Sequence, residues 1–157
     1  MNTVKILDTT ISETSLVEVS NILNNKNSLK VAICNTNTVV RSYRDKRLCN
    51  IINSFNIKTP DGFPIAKSSS ILYKNRQKRV DGYNVFISTI RDGLSRNTSH
   101  YFYGSEDLIM KKLIQKLKQD FPNINIVGSF SPPVGSYEKL TEEEYIKNIL
   151  ETKPDIV

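Results

Sequence analysis

Apolar and polar positions alternate along this chain in two periods, one typical of strands and one typical of helices. Short runs rich in aliphatic or aromatic residues lie at residues 29–34, 57–59, 101–103 and 124–127. Stretches with an apolar residue at every third or fourth position lie between these runs. Strand-length runs that alternate with helical stretches predict an α/β fold with a mainly parallel sheet flanked by helices. Residues 4–11 are expected to add a short N-terminal strand or strand pair.

Capping residues and glycines predict several boundaries of these elements. Ser15, with Glu18 three positions later, has the form of a capping box and predicts the start of a helix. Residues 39–55 follow one helical period and predict a single helix. Ser105 is expected to cap the helix that follows the third strand. Gly128 is expected to end the next strand.

Composition favours one globular domain with an anionic partner. The 157 residues suit a single domain, residues 1–157, whose core needs neither disulfide nor metal. Cys34 and Cys49 lack metal-ligand spacing and are expected to be reduced thiols. The net charge of +6 favours a nucleotide diphosphate, an anionic membrane surface or a nucleic acid. No apolar run approaches the ~18–20 residues that span a bilayer, so any membrane contact is expected to be peripheral.

A carboxylate on a tight turn is the first candidate for chemistry. Thr59-Pro60-Asp61-Gly62 follows a predicted strand, and ligands of open parallel sheets bind outside the carboxyl ends of the strands. Aspartate often serves such a turn by bonding its own backbone, and spacing alone favours that role for Asp61. The alternative is a general base that takes the proton of a sugar hydroxyl.

Three other polar groups have both a structural and a binding interpretation. Asn35 and Asn37 follow a buried strand, where asparagine serves loop geometry or grips a hydroxyl or uracil edge. Arg79 belongs to a basic run that is usually a solvated face, although guanidinium also binds phosphate through paired hydrogen bonds. The dipeptide Gly104-Ser105 either caps a helix or cradles a phosphate or ribose.

No divalent metal and no cofactor is expected. The sequence contains no Asp-x-Asp pair, which is the usual carboxylate pair for a bridging metal. The charge of a leaving diphosphate would then be neutralised by arginine, lysine or a helix N-terminus.

An ordered set of motifs resembles the WecG/TagA/CpsF family of bacterial glycosyltransferases over nearly the whole chain. The motifs are Asn35-Thr36-Asn37, Thr59-Pro60-Asp61-Gly62, Arg79-Val80-Asp81-Gly82-Tyr83-Asn84, Tyr103-Gly104-Ser105, the stretch 125–133 and Lys153-Pro154-Asp155-Ile156-Val157. Asn35 replaces the family's usual threonine, and Asn84 replaces an aspartate. The resemblance implies a Rossmann-like α/β domain.

The resemblance also implies an inverting, metal-independent glycosyltransferase. Such an enzyme moves a sugar, commonly N-acetylmannosamine, from a UDP-sugar donor to a polyprenyl-diphosphate-linked saccharide. It serves teichoic acid, common antigen or capsule synthesis, and it is cytoplasmic and peripheral at the inner face of the cell membrane. Asp61 is then the base and Arg79 steadies the diphosphate. Substrate contacts are expected from Asn35, Asn37, Gly62, Gly82, Asn84, Gly104 and Ser105.

Family members carry a Gly-x-Gly-x-Pro-x-Gln-Glu loop and a basic C-terminal region beyond the position of Val157. The domain is therefore expected to be incomplete at its C-terminus.

Two interpretations of another class stay open. In the first, the chain is a non-catalytic module that binds a nucleotide-sugar or, through its positive charge, a nucleic acid. Its basic residues are dispersed and not interleaved with stacking aromatics, so no nucleic-acid partner is expected. In the second, an exposed edge of the last strand pairs with a second copy, giving a homo-oligomer, or with a partner chain.

Overall fold

The computed structural model describes residues 1–25, 28–135 and 137–157. Its strands are β1 (Thr3–Ile6), β2 (Thr9–Ser12), β3 (Val31–Cys34), β4 (Ile57–Pro60), β5 (Ser99–Tyr103) and β6 (Asn125–Phe130). Its helices are α1 (Leu16–Asn25), α2 (Thr36–Arg44), α3 (Lys46–Asn53), α4 (Phe63–Tyr73), α5 (Gly82–Gly93), α6 (Asp107–Asp120), α7 (Tyr137–Leu140) and α8 (Glu143–Thr152). A short 3₁₀ turn follows α5 at Leu94–Arg96. The α/β class predicted from the pattern is confirmed.

Parallel pairing occurs in each of the two compact units of the chain, residues 1–92 and 93–157. In the first unit, β1 and β2 form an antiparallel pair and β3 pairs in parallel with β4. In the second unit, β5 pairs in parallel with β6. The N-terminal strand pair and the parallel Rossmann-like pairing are confirmed. The single domain over residues 1–157 stays a prediction.

Aliphatic side chains from strands and helices form the core of the first unit. The fully buried ones include Ile11, Val19, Val39 and Val80. The one lysine among the described core residues, Lys58, is satisfied because its Nζ donates to the backbone oxygen of Phe55 at 2.6 Å. Burial lowers the pKa of the Lys58 ammonium.

The helical stretch at 39–55 forms two helices, so the prediction of one helix is wrong. Asp45 has extended backbone angles, φ −122° and ψ 105°, and interrupts the helical path. Its carboxylate accepts hydrogen bonds from the backbone N–H of Arg47 at 2.9 Å and of Leu48 at 3.2 Å. These bonds cap α3 and favour a new helix start over continuation of α2. The Ser15 cap is confirmed, since Ser15 Oγ accepts from the N–H of Glu18 at 3.2 Å.

Two glycine-associated boundaries in the second unit differ from expectation. Strand β6 continues through Gly128, where an added Cβ would lie 2.5 Å from the Tyr101 ring. The absence of a side chain at Gly128 therefore lets the Tyr101 ring pack against β6. Ser105 has φ +63°, and the residue that caps α6 is Glu106. The left-handed turn at Gly104-Ser105 delays the helix by one residue.

The last described residues form a short parallel bridge to β5. Ile156 pairs with His100 of β5. Asp155 fixes this pairing, because its Oδ2 accepts from the N–H of Ser99 at 2.8 Å and from its hydroxyl at 2.7 Å. These hydrogen bonds lower the pKa of the Asp155 carboxyl.

Candidate active site

Asp61 lies directly after β4, at the carboxyl end of the β3–β4 pair. Its backbone N–H donates to the carbonyl oxygen of Cys34, the last residue of β3, at 3.0 Å. Its side chain is 19% exposed, so the carboxylate is accessible without being fully solvated. Gly62 follows with φ +89°, a backbone conformation that residues with a Cβ rarely adopt, and α4 begins at Phe63. The turn thus presents Asp61 at the sheet edge where ligands of such sheets bind.

A chain reversal after α4 brings Arg79 back to this edge. Helix α4 ends at Tyr73, and its C-cap residue Lys74 has the left-handed φ of +55°. Residues 75–81 then return towards the sheet. We call residues 75–81 the return segment. At its end, the N–H of Val80 donates to the carbonyl oxygen of Pro60 at 3.0 Å. Asp61 and Arg79, which are 18 positions apart in the sequence, therefore become neighbours.

Side-chain hydrogen bonds to distant backbone hold the return segment in place. Gln77 pairs with both backbone groups of Thr14: its Nε2 donates to the oxygen at 2.7 Å, and its Oε1 accepts from the N–H at 3.1 Å. Asn75 Nδ2 donates to the Glu13 carboxylate. These hydrogen bonds hold the return segment, which has no regular secondary structure of its own, in one path.

Arg79 faces two carboxylates through one nitrogen. Its Nε donates to Asp61 Oδ1 at 3.3 Å and lies 3.9 Å from Asp81 Oδ2. The arginine side chain is 56% exposed. Because both contacts use Nε, the terminal amino groups are the part of the guanidinium suited to an incoming anion.

Asp81 is a site-forming residue that the sequence reasoning missed. Its Oδ1 accepts from the backbone N–H of Asn84 at 3.1 Å, and its Oδ2 accepts from Asn84 Nδ2 at 2.7 Å. These hydrogen bonds, chiefly the one from the Asn84 side chain, lower the pKa of the Asp81 carboxyl. Asp81 thus holds the first turn of α5 and faces Arg79. An aspartate three positions before an asparagine is a cap signal that the sequence does carry.

Gly82 and Asn84 have structural contacts at this position. An added Cβ on Gly82 would lie 3.4 Å from Ile33 Cγ2, tighter than most Cβ contacts, so the glycine lets α5 start close against β3. The side-chain amide of Asn84 is directed to Asp81. Both residues therefore shape the cluster of Asp61, Arg79 and Asp81.

Asn35 and Asn37 lie after β3, beside the end of β4. Asn35 is the cap of α2, and its Oδ1 accepts from the N–H of Thr38 at 3.0 Å. Its φ is −91°, so a left-handed loop is not the reason for asparagine here. Asn37 is exposed in the first turn of the helix. The register pairs Cys34 with Pro60, so Asn35 and Asp61 follow adjacent strand ends.

Gly104 and Ser105 belong to the second unit and line a cleft there. The cleft has a volume of about 560 Å³ and lies at the carboxyl end of β5. Gly104 has φ +121° and an open space where its Cβ would be. The remaining walls are largely apolar and include Ile109, Pro132 and Val134. A cleft of this volume is in the range of small-molecule sites.

The described residues contain neither a candidate metal cluster nor a helix suited to span a membrane. Within residues 1–25, 28–135 and 137–157, no three His, Cys, Asp or Glu side chains are grouped so that they could hold a metal ion. Over the same residues, no helix combines the length and the apolar character needed to cross a bilayer.

The α/β architecture places a carboxylate–guanidinium cluster at the strand ends, where ligands of open parallel sheets bind. Comparison with known proteins gives the family: residues 4–157 match the family model described as glycosyl transferase WecG/TagA/CpsF. The chain belongs to the WecG/TagA/CpsF family of glycosyl transferases. The resemblance carried by the ordered motifs is confirmed.

Two curated relatives carry the same name, N-acetylglucosaminyldiphosphoundecaprenol N-acetyl-beta-D-mannosaminyltransferase. The one from Bacillus spizizenii is 28% identical over 107 residues, which cover 68% of this chain and 40% of the relative. The one from Bacillus subtilis is 24% identical over 98 residues, which cover 62% of this chain and 38% of the relative. The chain thus spans about two fifths of the length of these relatives.

Proposed function

We propose that this chain is a hexosyltransferase that transfers a sugar from a UDP-sugar to a polyprenyl-diphosphate-linked acceptor. The observation that carries the proposal is the contact between Asp61 and Arg79 at the strand ends of a WecG/TagA/CpsF family domain. Both relatives are named for transfer of N-acetylmannosamine to an N-acetylglucosaminyl-diphosphoundecaprenol, and this is the chemistry that we infer for the chain.

In the proposed reaction, Asp61 is the general base. An acceptor hydroxyl attacks the anomeric carbon on the face opposite the UDP group, and its proton passes to the Asp61 carboxylate. A new carbon–oxygen bond forms while the bond from the anomeric carbon to the phosphate oxygen breaks with its electron pair, so the configuration inverts. A positioned base of this kind contributes about 10²–10⁴-fold to the rate.

Arg79 stabilises the leaving diphosphate in this proposal. The negative charge of UDP grows as the bond breaks, and a guanidinium in place before the reaction lowers the barrier. Asp81 acts as a positioning residue, because its carboxylate faces Arg79 Nε at 3.9 Å and is itself fixed by Asn84. Metal independence belongs to the proposal, and its motivation is the missing Asp-x-Asp pair in the sequence.

The other candidate residues take substrate-binding roles. Asn37 is exposed at the end of β3 and is suited to a substrate hydroxyl. Asn35, Gly62, Gly82 and Asn84 act by shaping the backbone around the cluster. We infer that Gly104 and Ser105 bind a ribose or a phosphate in the cleft that they line. The protein is proposed to work peripherally at the cytoplasmic face of the membrane, where a polyprenyl-linked acceptor is held.

Isothermal titration with UDP and UDP-N-acetylhexosamines, with and without EDTA, tests the donor half of this proposal. We expect micromolar binding that EDTA does not change and that Arg79→Met weakens. EDTA-sensitive binding would contradict metal independence. Steep salt-dependent binding to an oligonucleotide, with none to UDP, would favour the nucleic-acid module instead.

A further inference from the structure

The outer face of α4 carries large apolar side chains that are open to solvent. At 100° per residue, Phe63, Lys67 and Ile71 fall in one stripe along the helix, opposite the buried Ile65 and Ser69. Phe63 is 71% exposed and Ile71 is 65% exposed. We call Phe63, Lys67 and Ile71 the outer stripe of α4.

A helix that is apolar on two sides is unusual at a protein surface. The inner side of α4 contacts β1, and Ile65 belongs to the buried cluster around that strand. The outer stripe has no such covering in the described part of the chain. Large apolar side chains that are exposed on one face of a helix can mark an interaction surface.

The charged residues within the segment that carries the outer stripe are all basic, although Asp61 and Asp81 flank this segment and form ion pairs with Arg79. Residues 62–80 contain no Asp or Glu, and their basic residues are Lys67, Lys74, Arg76, Lys78 and Arg79. Among the ion pairs of the described residues, none involves Lys67 or Lys74. A partner that suits the outer stripe offers apolar groups to Phe63 and Ile71 and negative charge to Lys67.

An anionic bilayer has that combination of properties. Phe and Ile side chains enter the boundary between headgroups and acyl chains, and lysine stems lie along it with the ammonium among the anionic headgroups. A second copy of the chain fits less well, since two identical basic stripes that face each other bring like charges together.

We propose that the outer stripe of α4 docks on an anionic lipid bilayer. The inference deepens the membrane association of the proposed function by giving it a surface, and it does not depend on transfer activity. Asp61 lies two residues before Phe63, the first residue of α4. A bilayer on this stripe would hold a lipid-linked acceptor beside the cluster of Asp61 and Arg79.

Co-sedimentation of the chain with vesicles tests the surface. Wild type is expected to bind vesicles of equal parts phosphatidylcholine and phosphatidylglycerol, and to bind pure phosphatidylcholine far less. Phe63→Ser with Ile71→Ser should weaken binding at least about tenfold, because two apolar side chains lose their burial. Lys67→Gln should weaken it about fivefold.

Matched controls come from exposed residues elsewhere in the chain. Val17→Ser removes an apolar side chain that is 68% exposed on α1, and Lys111→Gln removes an exposed charge on α6. Both should bind as wild type does. Circular dichroism confirms that each variant is folded.

The proposal would be overturned if wild type did not bind the anionic vesicles, or if the control variants lost vesicle binding as much as the α4 variants do. It would also be overturned if sedimentation velocity showed a dimer that only the α4 variant abolishes, while that variant still binds vesicles. Transfer to a water-soluble acceptor analogue, measured separately, distinguishes these outcomes from failure of the proposed activity.

Discussion

Replacing Gln77 by alanine should loosen the return segment that holds Arg79 beside Asp61. Gln77 makes two hydrogen bonds to the backbone of Thr14, at 2.7 and 3.1 Å, and both are partly buried. Each such bond contributes about 0.5–1.5 kcal/mol, so Gln77→Ala should lower the free energy of unfolding by about 1–3 kcal/mol. The variant also leaves the N–H and C=O of Thr14 without their Gln77 partners.

Urea unfolding followed by circular dichroism measures this change. Lys78→Ala is the matched control, because Lys78 is the exposed neighbour of Gln77 and its loss should alter stability by no more than about 0.5 kcal/mol. Titration with UDP should show weaker binding to Gln77→Ala, since Arg79 is no longer held at the sheet edge. Equal stability of the two variants would refute the role given to the return segment.

Three further predictions concern backbone, charge and burial. Gly62→Ala should cost about 1–3 kcal/mol of stability, measured by thermal unfolding, because φ is +89° there; an unchanged Tm would contradict this. The pKa of Asp81 lies below its unfolded value of 3.8, so its stabilisation is full above pH 3.8 and is lost as pH falls through the folded value. Asp81→Asn should therefore make the acid-unfolding curve shallower, and an identical curve would argue against it. Burial raises the pKa of the Cys34 thiol to about 11. In the Cys49→Ser variant at pH 8, maleimide should therefore label Cys34 only after the protein unfolds. Rapid labelling of the folded variant would contradict the burial of Cys34.

The regular elements could be predicted because their signals are local. Ser15 caps α1 as its spacing with Glu18 indicates, and the aliphatic and aromatic runs form the parallel strands. The break between α2 and α3 at Asp45 could not be predicted. In an unbroken helical period, the sequence does not distinguish a capping aspartate from a solvated aspartate on one long helix.

The candidate site could be predicted only in part. Spacing alone favoured a turn role for Asp61, and the family resemblance gave the pair of Asp61 and Arg79. Arg79 reaches Asp61 on a segment that Gln77 ties to the backbone of Thr14, 63 positions away, and no local pattern reveals a contact of that range. Asp81 was missed because the resemblance assigns a role to Arg79, Gly82 and Asn84 of this stretch and none to Asp81.

Transfer of labelled sugar to a polyprenyl-diphosphate-linked acceptor by wild type and Asp61→Asn tests the central claim most directly. Asp120→Asn, which removes a carboxylate from an exposed ion pair on α6, is the control. We predict transfer by wild type and the control and a loss of about 10²-fold or more in the folded Asp61→Asn. Full activity of Asp61→Asn would contradict the assignment of the base, and no transfer by wild type would contradict the claim that this chain is itself a transferase.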